Sequence, residues 1–242
     1  KISPLALTVA DVDGDDQAEV IIAKDQLARA LKVGADGKAV TVEQFNAPDS
    51  SAQLSTVLVT KVAGKKRVLL ADSAQSVLHE MHAGTDGVFR VVHTHALSAL
   101  TAEQMHLLGD KLLVIGKSSF ELTPLSGTTL RLEAIVSLDS ELKDTKPADI
   151  IPASFSGSGV DDLALVDFSD SRVLEFFQPT DKQPLEWQSA MYFRIFESDP
   201  FFRGKSGREN EPHDYTALDL NGDGKLDLAL LVHDRLLIYL RR

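Results

Sequence analysis

Asp11, Asp13, Asp15 and Glu19 set four carboxylates at positions one, three, five and nine of the stretch DVDGDDQAE. Like charges this close repel and disfavour a compact turn unless something positive sits among them. The spacing returns near the other end of the chain. In DLNGDGKLD, residues 219–227, Asp219, Asn221, Asp223 and Asp227 hold the same four positions. Glycine stands at position four of both stretches, as Gly14 and Gly222. Each stretch runs directly into apolar residues, Val20-Ile21-Ile22-Ala23 in one and Leu228-Ala229-Leu230-Leu231 in the other. Oxygens at alternate positions of a tight loop suit a hard cation. Calcium takes about six to eight oxygens at about 2.3–2.6 Å, and the backbone carbonyl of position seven, Gln17 or Lys225, fills the gap between side-chain ligands. Magnesium demands stricter geometry and fewer protein ligands, so calcium is the favoured ion. Taken singly, either stretch also reads as a solvated acidic turn.

A helix–loop–helix calcium site does not account for the pattern. Its loop needs a bidentate Glu at position twelve and a flanking helix. Position twelve here is Ile22 or Leu230, inside short runs of Val, Ile and Leu that read as buried strands.

The composition is that of an ordinary globular protein. Of 242 residues, 43% are hydrophobic and 25% charged, and the formal net charge is -11. That charge argues against nucleic acid or an anionic membrane as the main partner and suits a cation ligand. No cysteine is present, which excludes disulfides, thiolate metal sites and a thiol nucleophile. No apolar stretch approaches the ~18 residues of a membrane-spanning helix. The chain starts at Lys1, without Met or a signal-peptide pattern, and reads as processed or excised from something longer.

The elements that must carry the two loops repeat along the chain. Apolar runs begin at residues 20, 68, 112, 163 and 228. Between them lie further short strands, such as QLARALKV and KAVTVEQF, joined by Gly34-Ala35-Asp36-Gly37, and SVLHEMHA and GVFRVVHTHAL, joined by Gly84-Thr85-Asp86-Gly87. Gly- and Asp-rich turns of this kind join antiparallel strands. Four short strands per forty to fifty residues is the pattern of a β-propeller blade. The expected fold is all-β, a propeller of about five four-stranded blades near residues 1–50, 51–98, 99–146, 147–212 and 213–242.

The loops at 11–19 and 219–227, each leading into an apolar strand, resemble the FG-GAP/VCBS repeats of integrin-type propellers. The resemblance implies a calcium loop between the first two strands of a blade, liganded from positions one, three, five, seven and nine. In this chain these are Asp11, Asp13, Asp15, Gln17 (carbonyl) and Glu19, then Asp219, Asn221, Asp223, Lys225 (carbonyl) and Asp227. Over the middle blades the likeness is one of topology. A loop expected at 61–67 carries Lys61, Lys65, Lys66 and Arg67 where acids would sit. The turn at Gly109-Asp110 is too short to wrap an ion. The loop at 154–162 sets one carboxylate, Asp162, among Ser154, Ser156 and Ser158, a poor calcium cage. Two calcium sites are expected. The final blade shows only three strands, so either it closes a five-bladed ring or the chain belongs to a larger propeller of six to eight blades; the second is the expectation.

Other chemistry is sparse. His93 and His95 share one face of a strand, and with His79 or His82 they have the types for a transition-metal site; the plainer reading is exposed histidines on an outer blade face. HEMH has its second His one residue too early for a zinc-protease helix. No phosphate loop, nucleophile elbow or paired-carboxylate pattern occurs. The long interval before the last blade contains DPFFRGKSGREN, where Phe201, Phe202, Arg203, Lys205 and Arg208 have the composition of a partner contact; the two rings also suit a buried plug. The expected function is a calcium-binding propeller without catalysis of its own, a binding or structural module of a larger extracytoplasmic protein or complex, with a protein or glycan partner. The alternative is a catalytic or accessory propeller of a polysaccharide-active hydrolase or lyase.

Overall fold

The structure is a computed structural model and describes residues 6–62, 64–97, 101–108, 111–116, 120–125, 134–135, 142, 147–157, 162–167, 173–180, 187–195, 214–232 and 235–241. These residues form five antiparallel sheets, each built from strands consecutive in the chain. Blade 1 holds β1 (Leu7–Ala10), β2 (Glu19–Lys24), β3 (Leu27–Val33) and β4 (Ala39–Asn46). Blade 2 holds β5 (Leu54–Val62), β6 (Lys65–Asp72), β7 (Val77–Ala83) and β8 (Phe89–Ala96). Blade 3 holds β9 (Gln104–Leu108), β10 (Lys111–Ile115), β11 (Phe120–Pro124) and β12 (Ala134–Ile135). Blade 4 holds β13 (Pro147–Ala153), β14 (Asp162–Asp167), β15 (Val173–Pro179) and β16 (Trp187–Arg194). Blade 5 holds β17 (Asp214–Leu218), β18 (Asp227–Val232) and β19 (Arg235–Tyr239). The chain divides into two compact units, Lys1–Val136 with blades 1 to 3 and Ser137–Arg242 with blades 4 and 5.

The five apolar runs of the sequence are the second strands of the five sheets. On β6, β10 and β14 the run is continuous because both faces are buried, whereas β2 alternates buried with half-buried residues and Leu231 of β18 is exposed. On β6, Val68 and Leu70 join the core shared with blade 1, while Leu69 and Ala71 join the core shared with blade 3. Full burial of each such Leu or Val contributes about 1.5–3 kcal/mol. In the C-terminal unit, Ala164 and Val166 of β14 meet Leu228, Leu230 and Val232 of β18 in the same manner. Outer strands are more exposed, and β8 has only half-buried and exposed residues.

The turns follow from their residues. Gly34 N–H donates to the Lys38 carbonyl at 2.9 Å and Gly84 N–H to that of Val88 at 2.9 Å. Asp36 and Asp86 each accept the N–H two residues on, both at 3.1 Å. Gly37 and Gly87 lie at φ 76 and φ 78, where a side chain is strained. The expected loop at 61–67 is not formed. β5 and β6 run on as a hairpin with Val62 paired to Lys65, and the basic residues Lys61, Lys65, Lys66 and Arg67 belong to its ladder.

Candidate metal loops

The acidic stretches form the β1–β2 and β17–β18 connections, and four backbone hydrogen bonds recur in them position for position. The N–H of position two donates to the carboxylate of position nine, Val12 to Glu19 Oε2 at 2.7 Å and Leu220 to Asp227 Oδ2 at 3.0 Å. That of position four donates to position one, Gly14 to Asp11 Oδ1 at 2.5 Å and Gly222 to Asp219 Oδ1 at 2.6 Å. That of position five donates to position three, Asp15 to Asp13 at 3.1 Å and Asp223 to Asn221 at 2.8 Å. That of position seven donates to position five, Gln17 to Asp15 at 3.0 Å and Lys225 to Asp223 at 2.9 Å. Positions four and six are left-handed in both loops, Gly14 and Asp16 at φ 90 and φ 63, Gly222 and Gly224 at φ 79 and φ 80. The fold of the loop turns the side chains at one, three and five together. Carboxylate oxygens of Asp11, Asp13 and Asp15 lie within 4.8 Å of one another.

The loops differ in what faces them. In the first, the Lys32 ammonium on β3 pairs closely with Asp15 and stands 3.9 Å from Asp13. Lys66 on β6 donates to the Val12 carbonyl at 2.6 Å and lies 3.4 Å from Asp11. The pair with Lys32 holds the Asp15 carboxyl below its usual range and raises Lys32. The Gly14 N–H, then Lys66, lower Asp11 against the opposing effect of burial. The ammonium of Lys32 thus stands in the cluster as a cation would. Glu19 is fully buried, and its Oε1 has no hydrogen-bond partner. In the second loop, among the described residues, no lysine or arginine pairs with Asp219, Asp223 or Asp227. Asp219 is lowered by the Gly224 N–H first, with the Gly222 and Asp223 N–H groups adding to it. Asp227 is also buried, but its second oxygen accepts the Arg241 N–H at 2.8 Å.

The described residues of the β13–β14 connection share two features with these loops. Gly157, at position four, lies at φ 72. Asp162, at position nine, accepts from the Ser156 N–H and from its hydroxyl, the latter at 2.9 Å. The Arg241 guanidinium donates to the carbonyls of Ser154 and Ser156 at 3.2 and 2.8 Å. Ser158 lies outside the described residues, as do Phe201, Phe202, Arg203, Lys205, Arg208 and the turn at 109–110.

Of the blade 2 histidines, His82 and His95 converge on a buried carboxylate and His79 does not join them. His82 and His95 contact the two oxygens of buried Glu80 at 2.8 and 3.1 Å, and Arg67 pairs with it at 3.0 Å. His79 is not on an exposed face: it is buried on the other side of the sheet, its Nδ1 3.0 Å from the Thr94 hydroxyl. Burial pushes the His79 imidazole down, against the pull of Asp72. Sequence reading missed Lys32, Lys66 and Arg241 because two of the three reach their loops from the next blade. The one local trace was Lys32 itself, next to last in LARALKV.

No family profile and no curated sequence matches the chain. Solved structures do. BBS1N in complex with ARL6DN aligns over 99% of this chain and 67% of its own, with a TM-score of 0.62 at 10% identity. A putative 6-phosphogluconolactonase from Bacteroides fragilis NCTC 9343 aligns over 94% of this chain and 62% of its own, with a TM-score of 0.56 at 15% identity. The chain spans about two thirds of the length of either neighbour. At such identities the likeness is one of fold, and the fold is the five-bladed, all-β propeller.

Proposed function

We propose that the chain is a calcium-binding β-propeller of the FG-GAP/VCBS kind, acting as a binding or structural module in an extracytoplasmic protein or complex. The observation that carries the reading is the correspondence of two loops, far apart in sequence, in four backbone hydrogen bonds and two left-handed positions. The donor set suits the ion: oxygens at positions one, three and five, a carbonyl at seven and a buried carboxylate at nine. The unpartnered Oε1 of Glu19 is a ligand without an occupation in the protein alone. Bound calcium would neutralise the clustered carboxylates and fix each β-turn entry to its blade; the loop amides already hold the side chains in place. In the first loop it displaces Lys32, whose ammonium otherwise supplies the positive charge.

Solvent-facing loops of this kind fit the calcium levels outside cells, with Kd of about 10⁻⁴–10⁻³ M. Isothermal titration with calcium tests the reading. Two sites in that range are expected, with stabilisation of about 2.7 kcal/mol per site at a hundredfold excess over Kd. Absence of binding heat together with identical melting in calcium and in chelator would remove the calcium reading. Nanomolar sites would remove the extracytoplasmic one. No helix among the described residues is long and apolar enough to cross a membrane.

A further inference from the structure

The chain holds three asparagines, and one of them, Asn221, is followed by glycine. Glycine presents a backbone nitrogen that no side chain shields. That nitrogen can attack the preceding carboxamide and close a five-membered ring. Asn46 and Asn210 precede Ala47 and Glu211, whose side chains hinder the same approach. Asn221 and Gly222 are both exposed in the β17–β18 loop. The space beside the Gly222 α-carbon is open, with no atom within 4 Å of where a β-carbon would stand.

The closed loop restrains every group that would react. The Gly222 N–H is committed to Asp219 Oδ1 at 2.6 Å. Asn221 Oδ1 accepts the Asp223 N–H at 2.8 Å, and Asn221 Nδ2 donates to Asp223 Oδ2 at 3.3 Å. Ring closure needs these bonds to open. An exposed loop held by a few such bonds opens locally at small cost. The blade 1 loop shows that the acid fits the same place. Asp13 stands there at position three before Gly14 and accepts the Asp15 N–H at 3.1 Å, as Asn221 accepts that of Asp223. Gly14 keeps its bond to Asp11 as Gly222 does to Asp219.

We propose that Asn221–Gly222 is a self-modifying pair that gives the blade 5 loop the acid set of the blade 1 loop. The Gly222 nitrogen loses its proton to water and bonds to Asn221 Cγ. The Cγ–Nδ2 bond breaks, and the amide nitrogen takes up a proton and leaves as ammonia. Water then opens the ring. Addition at Cγ restores the ordinary backbone with an aspartate side chain. Addition at the main-chain carbonyl leaves isoaspartate, whose backbone runs through Cγ and is one carbon longer. Either product adds one negative charge. The bearing on the metal rests on the function proposed above. Position three is a ligand there and ligand charge tunes affinity, so aspartate tightens the site, while isoaspartate displaces its oxygen.

Prolonged incubation of the chain in mildly alkaline buffer, with chelator or with calcium, tests the proposal. Peptide mapping by mass spectrometry reads loss of the amide, and methyl transfer by an isoaspartate methyltransferase reads the rearranged product. In chelator Asn221 should convert well ahead of Asn46 and Asn210 and give both acids. Asn221→Gln, which would have to close a larger ring, should lose the conversion at an unchanged melting temperature, and Gly222→Ala should slow it. At a hundredfold excess of calcium over Kd about one loop in a hundred is free, so conversion should slow about a hundredfold. Conversion that calcium leaves unaltered would remove the calcium reading of this loop while upholding the modification. An Asn221 that stays intact, or that outlasts either of the other asparagines in chelator, overturns the proposal.

Discussion

The Lys66 ammonium of blade 2 lies 2.6 Å from the Val12 carbonyl oxygen, inside the acidic loop of blade 1. Arg241, following the last strand of blade 5, stands likewise against the serine loop of blade 4. In both cases a basic side chain of the next blade reaches into the loop at the head of the one before. The blade 5 loop receives no such side chain among the described residues, and this difference ranks the loops as candidate calcium sites.

Calcium should therefore bind more tightly at residues 219–227 than at 11–19, where it competes with Lys32. Lys32→Met should raise the affinity of the first loop while lowering the melting temperature of the calcium-free protein. Titration calorimetry on the variant checks both; an unaltered first-loop affinity would mean that Lys32 does not occupy the cation's place.

Metal analysis separates the three loops. Asp13→Ala and Asp223→Ala should each remove about one calcium per chain. Ser156→Ala should remove none, because Asp162 in that loop is already engaged by Ser156 and the Arg241 guanidinium holds the loop carbonyls. A third equivalent of calcium that disappears with Ser156→Ala would show the serine loop to be a site.

Backbone conformation gives a test independent of metal. Gly222 has open space around its α-carbon, so Gly222→Ala should cost only the left-handed strain, about 1–2 kcal/mol. Asp16 adopts φ 63 where the other loop has Gly224. Asp16→Gly should thus be neutral or slightly stabilising. Urea denaturation in chelator reads both changes without any contribution from calcium.

Glu80 predicts an acid response. Burial alone would raise its carboxyl, but hydrogen bonds with His95 and His82 and the charge of Arg67 prevail and hold it at about 2, below the ordinary 4.5. A depressed carboxylate stabilises the folded state at pH values above the unfolded pKa, and that contribution fades as pH falls from about 4.5 to about 2. Glu80→Gln should cost about 3–5 kcal/mol at pH 7, as breaking a buried ion pair does. The gap between variant and wild type should narrow steadily below pH 4.5. A gap independent of pH would show that the carboxylate charge is not what the side chain contributes.

Much of this protein was legible because its signals are local. The apolar runs at Val20, Val68, Leu112, Leu163 and Leu228 mark the second strand of every sheet. The turns at 34–37 and 84–87 carry their own geometry in Gly and Asp. What stayed hidden depends on residues distant in sequence. Nothing local tells that Lys66 faces Asp11, fifty-five residues away, or that Arg241 reaches Ser156 across eighty-five. The burial of His79 was equally hidden, since alternation assigns a face to a strand residue but not what will cover that face. The hairpin at Val62 and Lys65 escaped because the loop there was placed by analogy with the acidic ones.

Among the described residues, every sheet is made of strands that follow one another directly in the chain. Most contacts are consequently made within one blade and with the next, and a blade can form once its own forty to fifty residues have left the ribosome. Folding is then expected to proceed from the first blade onward, with each finished sheet offering an apolar face to the one being made. The same arrangement confines the damage of a mutation to a blade and its neighbours. It also lets a lineage gain or lose whole blades by duplication or deletion without disturbing the hydrogen-bond ladders of the rest.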